Sequence, residues 1–306
     1  MPYGAKFLPE NQDPTKPPTS DGSSALISDF LRPYQGYGTI RLWGYRGYSN
    51  YHSLQTSLTR RFDNGIMFSA FYVWSKTLGI NNNDYSALRI YATDEENTKY
   101  NYSYVDYDRP HNFVVNFIYR TPKVADGAAG ILLNDWQLSG VYQWLSGTPY
   151  SIGYSIPGVS NTNITGSDEG ARVYVNCDPG KGSSSDPYNQ IDGTCFGPPQ
   201  PGSVGGESAR YFLHNPAFNN LNLSISKSVP FGDRVRMEVR LDMFNALNHT
   251  QWSGVNSSVS FASVSDPTVT NLPYDANGNL VNRGGIGTIS GVRDARTIQL
   301  VTRLTF

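Results

Sequence analysis

Arg296-Thr297-Ile298-Gln299-Leu300-Val301-Thr302-Arg303-Leu304-Thr305-Phe306 is the stretch on which the fold turns. Read backward in steps of two, one face carries Phe306, Leu304, Thr302, Leu300 and Ile298. The other carries Thr305, Arg303, Val301, Gln299 and Thr297. Successive side chains of a strand point to opposite faces, so the segment reads as a strand that is greasy on one side, largely polar on the other, and closed by an aromatic. A soluble domain has little use for an exposed terminal Phe. The last strand of an outer-membrane β-barrel does, because an aromatic sits well at the membrane interface.

Composition points the same way. Charged residues are only 16% of the chain, while Tyr reaches 21 and Gly 30 of 306, a usage that favours strands and turns over solvated helices. Mean hydropathy is negative, and no run of about 18 apolar residues offers a transmembrane helix. A net charge of −1 without a basic patch argues against a nucleic-acid partner. The opening Met1-Pro2-Tyr3-Gly4-Ala5-Lys6 lacks the apolar stretch of a signal peptide, so either the chain is not exported or it is a piece of a longer one.

Strands are expected near 51–62, 66–76, 111–121, 134–145, 220–229, 234–245 and 295–306, with an eighth near 37–46. Each is about the 9–11 residues that a tilted membrane strand needs. Asp63-Asn64-Gly65 is a tight hairpin signal, and Pro230-Phe231-Gly232-Asp233 joins a second pair. The other joints are long, roughly 77–110, 146–219 and 246–294. Short turns on one side and long loops on the other are the outer-membrane pattern, with the long loops outside the cell. If Phe306 ends at the periplasm, both tight turns count back to the periplasmic side. The expectation is therefore an all-β, antiparallel transmembrane barrel segment of about seven or eight strands. It forms one partial domain over 1–306, with a loop or first strand in 1–50 and barrel strands with long loops in 51–306.

Side-chain parity supports two distinct faces. Val235, Met237, Val239, Leu241 and Met243 share one face of their strand, and Arg236, Glu238, Arg240 and Asp242 share the other. This suits lipid against a wet lumen; an ordinary sandwich strand with one solvated face is the bland alternative. Trp136 and Trp144 share a face eight residues apart, about 26 Å along a strand and about 20 Å in height once tilted, close to the spacing of aromatic girdles. Trp74 joins them as a girdle candidate. Arg60 falls on the lipid face of 51–62, near the periplasmic end, where its head can snorkel.

Four segments resemble a known family. Asn50-Tyr51-His52-Ser53-Leu54-Gln55, Tyr72-Val73-Trp74-Ser75-Lys76, Tyr107-Asp108-Arg109-Pro110-His111-Asn112-Phe113 and Phe244-Asn245-Ala246-Leu247-Asn248-His249-Thr250 are similar to the carboxy-terminal barrel of TonB-dependent outer-membrane receptors, Oar-like subgroup, as is the terminal strand after Gly285-Ile286-Gly287-Thr288-Ile289. The resemblance implies a 22-stranded barrel occluded by an amino-terminal plug, with a box that engages TonB. Plug and box are absent from this sequence, so the chain would represent the final third or so of such a barrel, and TonB would be met only through the absent plug. Transport of a large substrate is implied for the parent.

No catalytic constellation, cofactor site or metal site is expected. His52, His111, His214 and His249 lack zinc-ligand spacing to one another or to Cys, and His52 and His249 are expected to be structural. Asp275-Ala276-Asn277-Gly278-Asn279 faintly resembles a calcium loop without the later acidic ligand. Cys177 and Cys195, both in the 146–219 loop, are expected to pair in an oxidising compartment; two free thiols are the cytosolic alternative. That loop is expected to be polar, with no apolar core of its own. Tyr91, Tyr100, Tyr102 and Tyr104 are candidate substrate contacts in the 77–110 loop, against a bland reading as a β-ribbon. Phe306, Leu304 and Leu300 are candidate assembly determinants, with the barrel-assembly machinery and outer-membrane lipid as partners.

Three functions remain open: a segment of a TonB-dependent transporter, a stand-alone small barrel anchoring adhesive loops, and a soluble β-sandwich carbohydrate-active enzyme. The third needs convergent carboxylates and has no use for Trp at both ends of a strand.

Overall fold

The computed structural model describes residues 1–19, 21–38, 40, 47–80, 98–168, 170–182, 185–231 and 234–306. Seven long strands dominate: β1 Ser49–Asp63, β2 Ile66–Gly79, β3 His111–Arg120, β4 Trp136–Leu145, β5 Phe218–Phe231, β6 Val235–Phe244 and β7 Thr297–Thr305. Each pairs antiparallel with its neighbours in sequence, giving one meander from β1 to β7. All seven coincide with expected strands to within about two or three residues. The strand expected near 37–46 falls largely on residues 39 and 41–46, outside the described residues. The described sheet is open, with β1 and β7 at its two ends.

The β1–β2 joint shows why its residues are there. Asn64 and Gly65 have φ of 49° and 79°, the left-handed pair that a two-residue type I′ hairpin requires. A Cβ on Gly65 would lie 2.4 Å from the Arg120 carbonyl oxygen, because the Arg120 N–H donates to the Gly65 carbonyl at 2.8 Å. The turn is thus pressed against the end of β3, and only glycine fits.

Residues 64–65, the 121–135 connection and the β5–β6 joint lie at one end of the sheet, together with Phe306. The 121–135 connection, a joint that the sequence reading passes over, holds a short helix, Gly127–Leu133. The three long connections leave from the other end.

There the chain departs from expectation. Residues 146–217 and 245–296 are not polar loops without a core. Ile152, Ile156, Ile164, Val173, Ile191, Phe196 and Leu213 from the first pack with Val259, Phe261 and Ile286 from the second. Ser258–Ser260 pairs in parallel with Gly153–Ser155, binding the two connections together, and the Ile289 N–H donates to the Pro187 carbonyl at 2.7 Å. Residues near the amino end dock on the same body: the Gly4 and Lys6 N–H groups donate to the Thr165 and Gly166 carbonyls at 2.9 and 3.1 Å. The core of this chain therefore lies in a cap at the long-loop end, and no residue of the seven long strands belongs to it.

Candidate functional site: the two-faced sheet and its cap

Residues directly opposite on paired strands share a face, so the registers carry parity across the whole sheet. Ile66, Tyr119, Leu138, Ile225, Leu241 and Leu300 form one line from β2 to β7. Phe68, Phe117, Gly140, Leu223, Met243 and Ile298 form the next, with the Phe117 ring lying over Gly140. On the reverse face the line between them reads Met67, Ile118, Ser139, Ser224, Asp242 and Gln299. The contrast that any one strand shows only in part is carried by the sheet as a whole.

A sandwich would bury the apolar face beneath a second sheet. Here Leu300 is 69% and Leu58 62% exposed, while the buried cluster sits in the cap. An uncovered apolar band of this extent fits hydrocarbon rather than water.

Aromatic residues gather at the long-loop end of that band. The Tyr72 hydroxyl meets His111 Nδ1 at 2.8 Å, and His111 lies against Trp144 with ring centres 5.6 Å apart. Phe113 packs edge-on to both Tyr72 and Tyr142. Trp74 stands directly opposite His111. At the turn end, Trp136 stands opposite Lys227 and its indole N–H donates to the Leu132 carbonyl at 2.8 Å. The Lys227 ammonium sits over the Trp136 ring and donates to the Asn134 carbonyl. Arg60, also on the apolar face near the turn end, pairs with Asp63 at 3.3 Å. Both charges on this part of the face are thus met at the rim. Phe306 is 99% exposed beyond the end of β7, and Leu304 and Leu300 point to the apolar side.

The polar face concentrates its charges on β6 and β7. Asp242 accepts from the Ser224 hydroxyl at 2.6 Å and pairs with Arg240 Nε at 3.0 Å, and Glu238 stands opposite Arg303.

In the cap, Cys177 and Cys195 are joined by a disulfide, with Cα atoms 5.0 Å apart. The bond sits beside the short pairing of Tyr174–Val175 with Phe196–Gly197. The two sulfurs and Asp192 are the one metal-like grouping among the described residues, and sulfurs bonded to each other make poor ligands. Tyr100, Tyr102 and Tyr104 are each engaged within the cap: Tyr100 against Gly206, Tyr102 stacked on Tyr48, and Tyr104 edge-on to His214 with Lys76 over its ring. Tyr91 lies outside the described residues. A cavity of about 420 Å³ is lined among others by Tyr150, Gln190, Phe212 and His214, the last of which Tyr104 meets edge-on. Burial pushes the phenols of Tyr150 and Tyr154 well above their usual range, keeping them neutral.

Two of the family-like segments, 107–113 and 244–250, are corners where strands meet the cap, while 50–55 and 72–76 pair with each other inside β1 and β2. Asp108 is buried and accepts from the Thr77 N–H at 2.6 Å, with His214 at 3.5 Å on its other oxygen. Arg109 donates to the Ser146 carbonyl at 2.7 Å. Asn245 and Asn248 adopt φ near +50°; the Asn245 N–H donates to Asn222 Oδ1, and Asn248 Oδ1 accepts from the Arg296 N–H. Sequence reasoning missed a further half-buried cation: Arg172 donates to the Tyr100 and Ser208 carbonyls at 2.7 and 3.0 Å and ties two long connections together. Burial lowers its pKa. Nothing in the local sequence marks this residue, since its partners, two backbone carbonyls and the Asn101 side chain, are remote in the chain.

A family model described as "Outer membrane beta barrel domain" matches residues 4–299. The chain belongs to this family, and its place is the outer membrane. No curated protein and no solved structure matches it.

Proposed function

We propose that this outer-membrane chain forms wall and outer loops of a TonB-dependent transporter of the Oar-like kind, in a barrel of about 22 strands. The observation that carries this reading is the pair of terminal strands. Among the described residues β1 and β7 each present an edge without a neighbour, and lipid cannot satisfy backbone groups at such an edge. Further strands then complete the wall, with a plug behind the polar face. The four family-like segments support the same reading, two of them paired within β1 and β2 and two at corners of the long-loop end. In this role the chain carries no catalytic group, the aromatic clusters around Trp74 with Trp144 and around Trp136 mark the two interfaces, and Phe306, Leu304 and Leu300 present the last strand to the assembly machinery. The cap, with its tyrosines and cavity, meets the external substrate.

A second reading, a small stand-alone barrel displaying an adhesive head, draws on the cap's own core and disulfide. Cryo-electron microscopy of the protein extracted from its native membrane separates the two. A large plugged barrel containing these seven strands is the expected result. A closed barrel of about eight strands with β1 near β7 overturns the transporter reading in favour of the anchor.

A further inference from the structure

The 121–135 connection is the least explained part of the turn end. Its neck is closed by the Thr121 N–H donating to the Trp136 carbonyl at 2.9 Å and by the Trp136 N–H donating to Thr121 Oγ1 at 3.1 Å. Above the neck, buried Asn134 staples the two limbs: its Oδ1 accepts from the Val124 N–H at 2.8 Å and its Nδ2 donates to the Ala125 carbonyl at 2.6 Å. Gly130 permits this closure, because a Cβ there would lie 2.6 Å from the Ala125 oxygen. The connection is thus a built module rather than a slack tether. Yet its tip leaves Val124, Ile131, Leu132 and Leu133 between 52% and 72% exposed. Three consecutive apolar residues held out by a fixed scaffold are costly in water.

Position identifies what covers them. The helix Gly127–Leu133 ends against two side chains of the apolar face: the Trp136 indole bonds to the Leu132 carbonyl, and the Lys227 ammonium bonds to the Asn134 carbonyl. The end of the module therefore lies on the lipid side of the sheet, continuous with the band that faces hydrocarbon. Lys123 is exposed on its first limb, a cation suited to a headgroup phosphate, while Asp126 and Asp135 flank the helix. We propose that residues 121–135 form an interfacial anchor that inserts Ile131, Leu132 and Leu133 into the periplasmic leaflet, among phospholipid acyl chains, in the way that short apolar helices lie at a bilayer boundary. It fixes the depth of the wall at β3, β4 and β5, independently of which larger barrel those strands belong to.

The test uses the protein extracted from its native membrane and reconstituted into vesicles of phosphatidylethanolamine and phosphatidylglycerol. With both native cysteines in the disulfide, Leu132→Cys carries a single reactive thiol for an environment-sensitive fluorophore; Val124→Cys serves as a second position and Asp126→Cys as the control. The labels at 132 and 124 are expected to emit further to the blue than the control and to lose most of their emission when the acyl chains are brominated, while the label at 126 is largely unaffected. Equal quenching of all three by an aqueous quencher overturns the anchor. So does a label at 132 shielded from water yet untouched by brominated lipid, which would point to a protein partner.

Discussion

Replacing Leu241 by Arg tests the assignment of faces most directly. Leu241 lies directly between Ile225 on β5 and Leu300 on β7. It is about 5 Å along β6 from that strand's centre, or about 4 Å in height at a typical barrel tilt, so it sits close to the mid-plane. A cation placed there on the lipid face costs about 2–4 kcal/mol. One residue on, the chemistry inverts. Asp242 accepts from Ser224 and pairs with Arg240; Arg240 is 45% exposed, and a pair so open to solvent is worth about 0–1 kcal/mol. Asp242→Asn keeps the shape and an acceptor for Ser224, so its cost stays within that range. Both variants are to be made in the protein extracted from its native membrane, reconstituted into vesicles and unfolded in urea, followed by tryptophan emission and by the mobility of the unheated folded band on a gel. Leu241→Arg should lose stability severalfold more than Asp242→Asn. Equal losses, or the reverse order, would refute the lipid and lumen assignment, because the registers give no way to turn one residue without turning its whole line.

Deleting Phe306 should reduce the heat-modifiable folded fraction recovered in the membrane, and an unchanged yield would remove its role in assembly. Gly65→Ala should destabilise by about 1–3 kcal/mol, since a φ of 79° and an Arg120 carbonyl oxygen 2.4 Å from where the Cβ would stand leave no relaxed place for a methyl; an unchanged midpoint in urea would count against the tight packing of that turn. Cys177→Ser should leave the strands assembled while external protease cuts within 146–217 more readily. The cross-link contributes roughly 3 kcal/mol in the chain-entropy account, and an unaltered cleavage pattern would mean that the apolar core alone holds the cap.

The strands were legible because the membrane imposes one rule on all of them. A period of two, maintained with lipid on one side and water on the other, shows in Val235 to Asp242 and again in Ile298 to Phe306 without any knowledge of partners. Asn64-Gly65 announces its own turn. The cap was not legible, for an equally physical reason. Ile164, Ile191 and Phe196 are scattered among Gly, Pro, Thr and Asn at irregular intervals, so no periodicity marks them, and their partners in the core, Val259, Phe261 and Ile286, lie beyond the β5–β6 hairpin. The helix Gly127–Leu133 escaped notice because seven residues with two glycines are too short to show a 3.6-residue repeat. The tyrosines of 100–104 were found, but what they touch is set by Tyr48, Gly206 and His214, which sequence proximity does not reveal.

The shared core of the cap has a consequence for the order in which the molecule is made. Every pairing in the sheet joins consecutive long strands, two of them across the connections 146–217 and 245–296, whereas the core of the cap draws on both connections at once. Local contacts form quickly, and distant ones wait on the closure of large loops. The segments 146–217 and 245–296 are separated by β5 and β6, so the first cannot finish packing until that hairpin has been placed and the second has emerged beside it. The core of the cap is therefore completed only after β5 and β6 lie between its two segments.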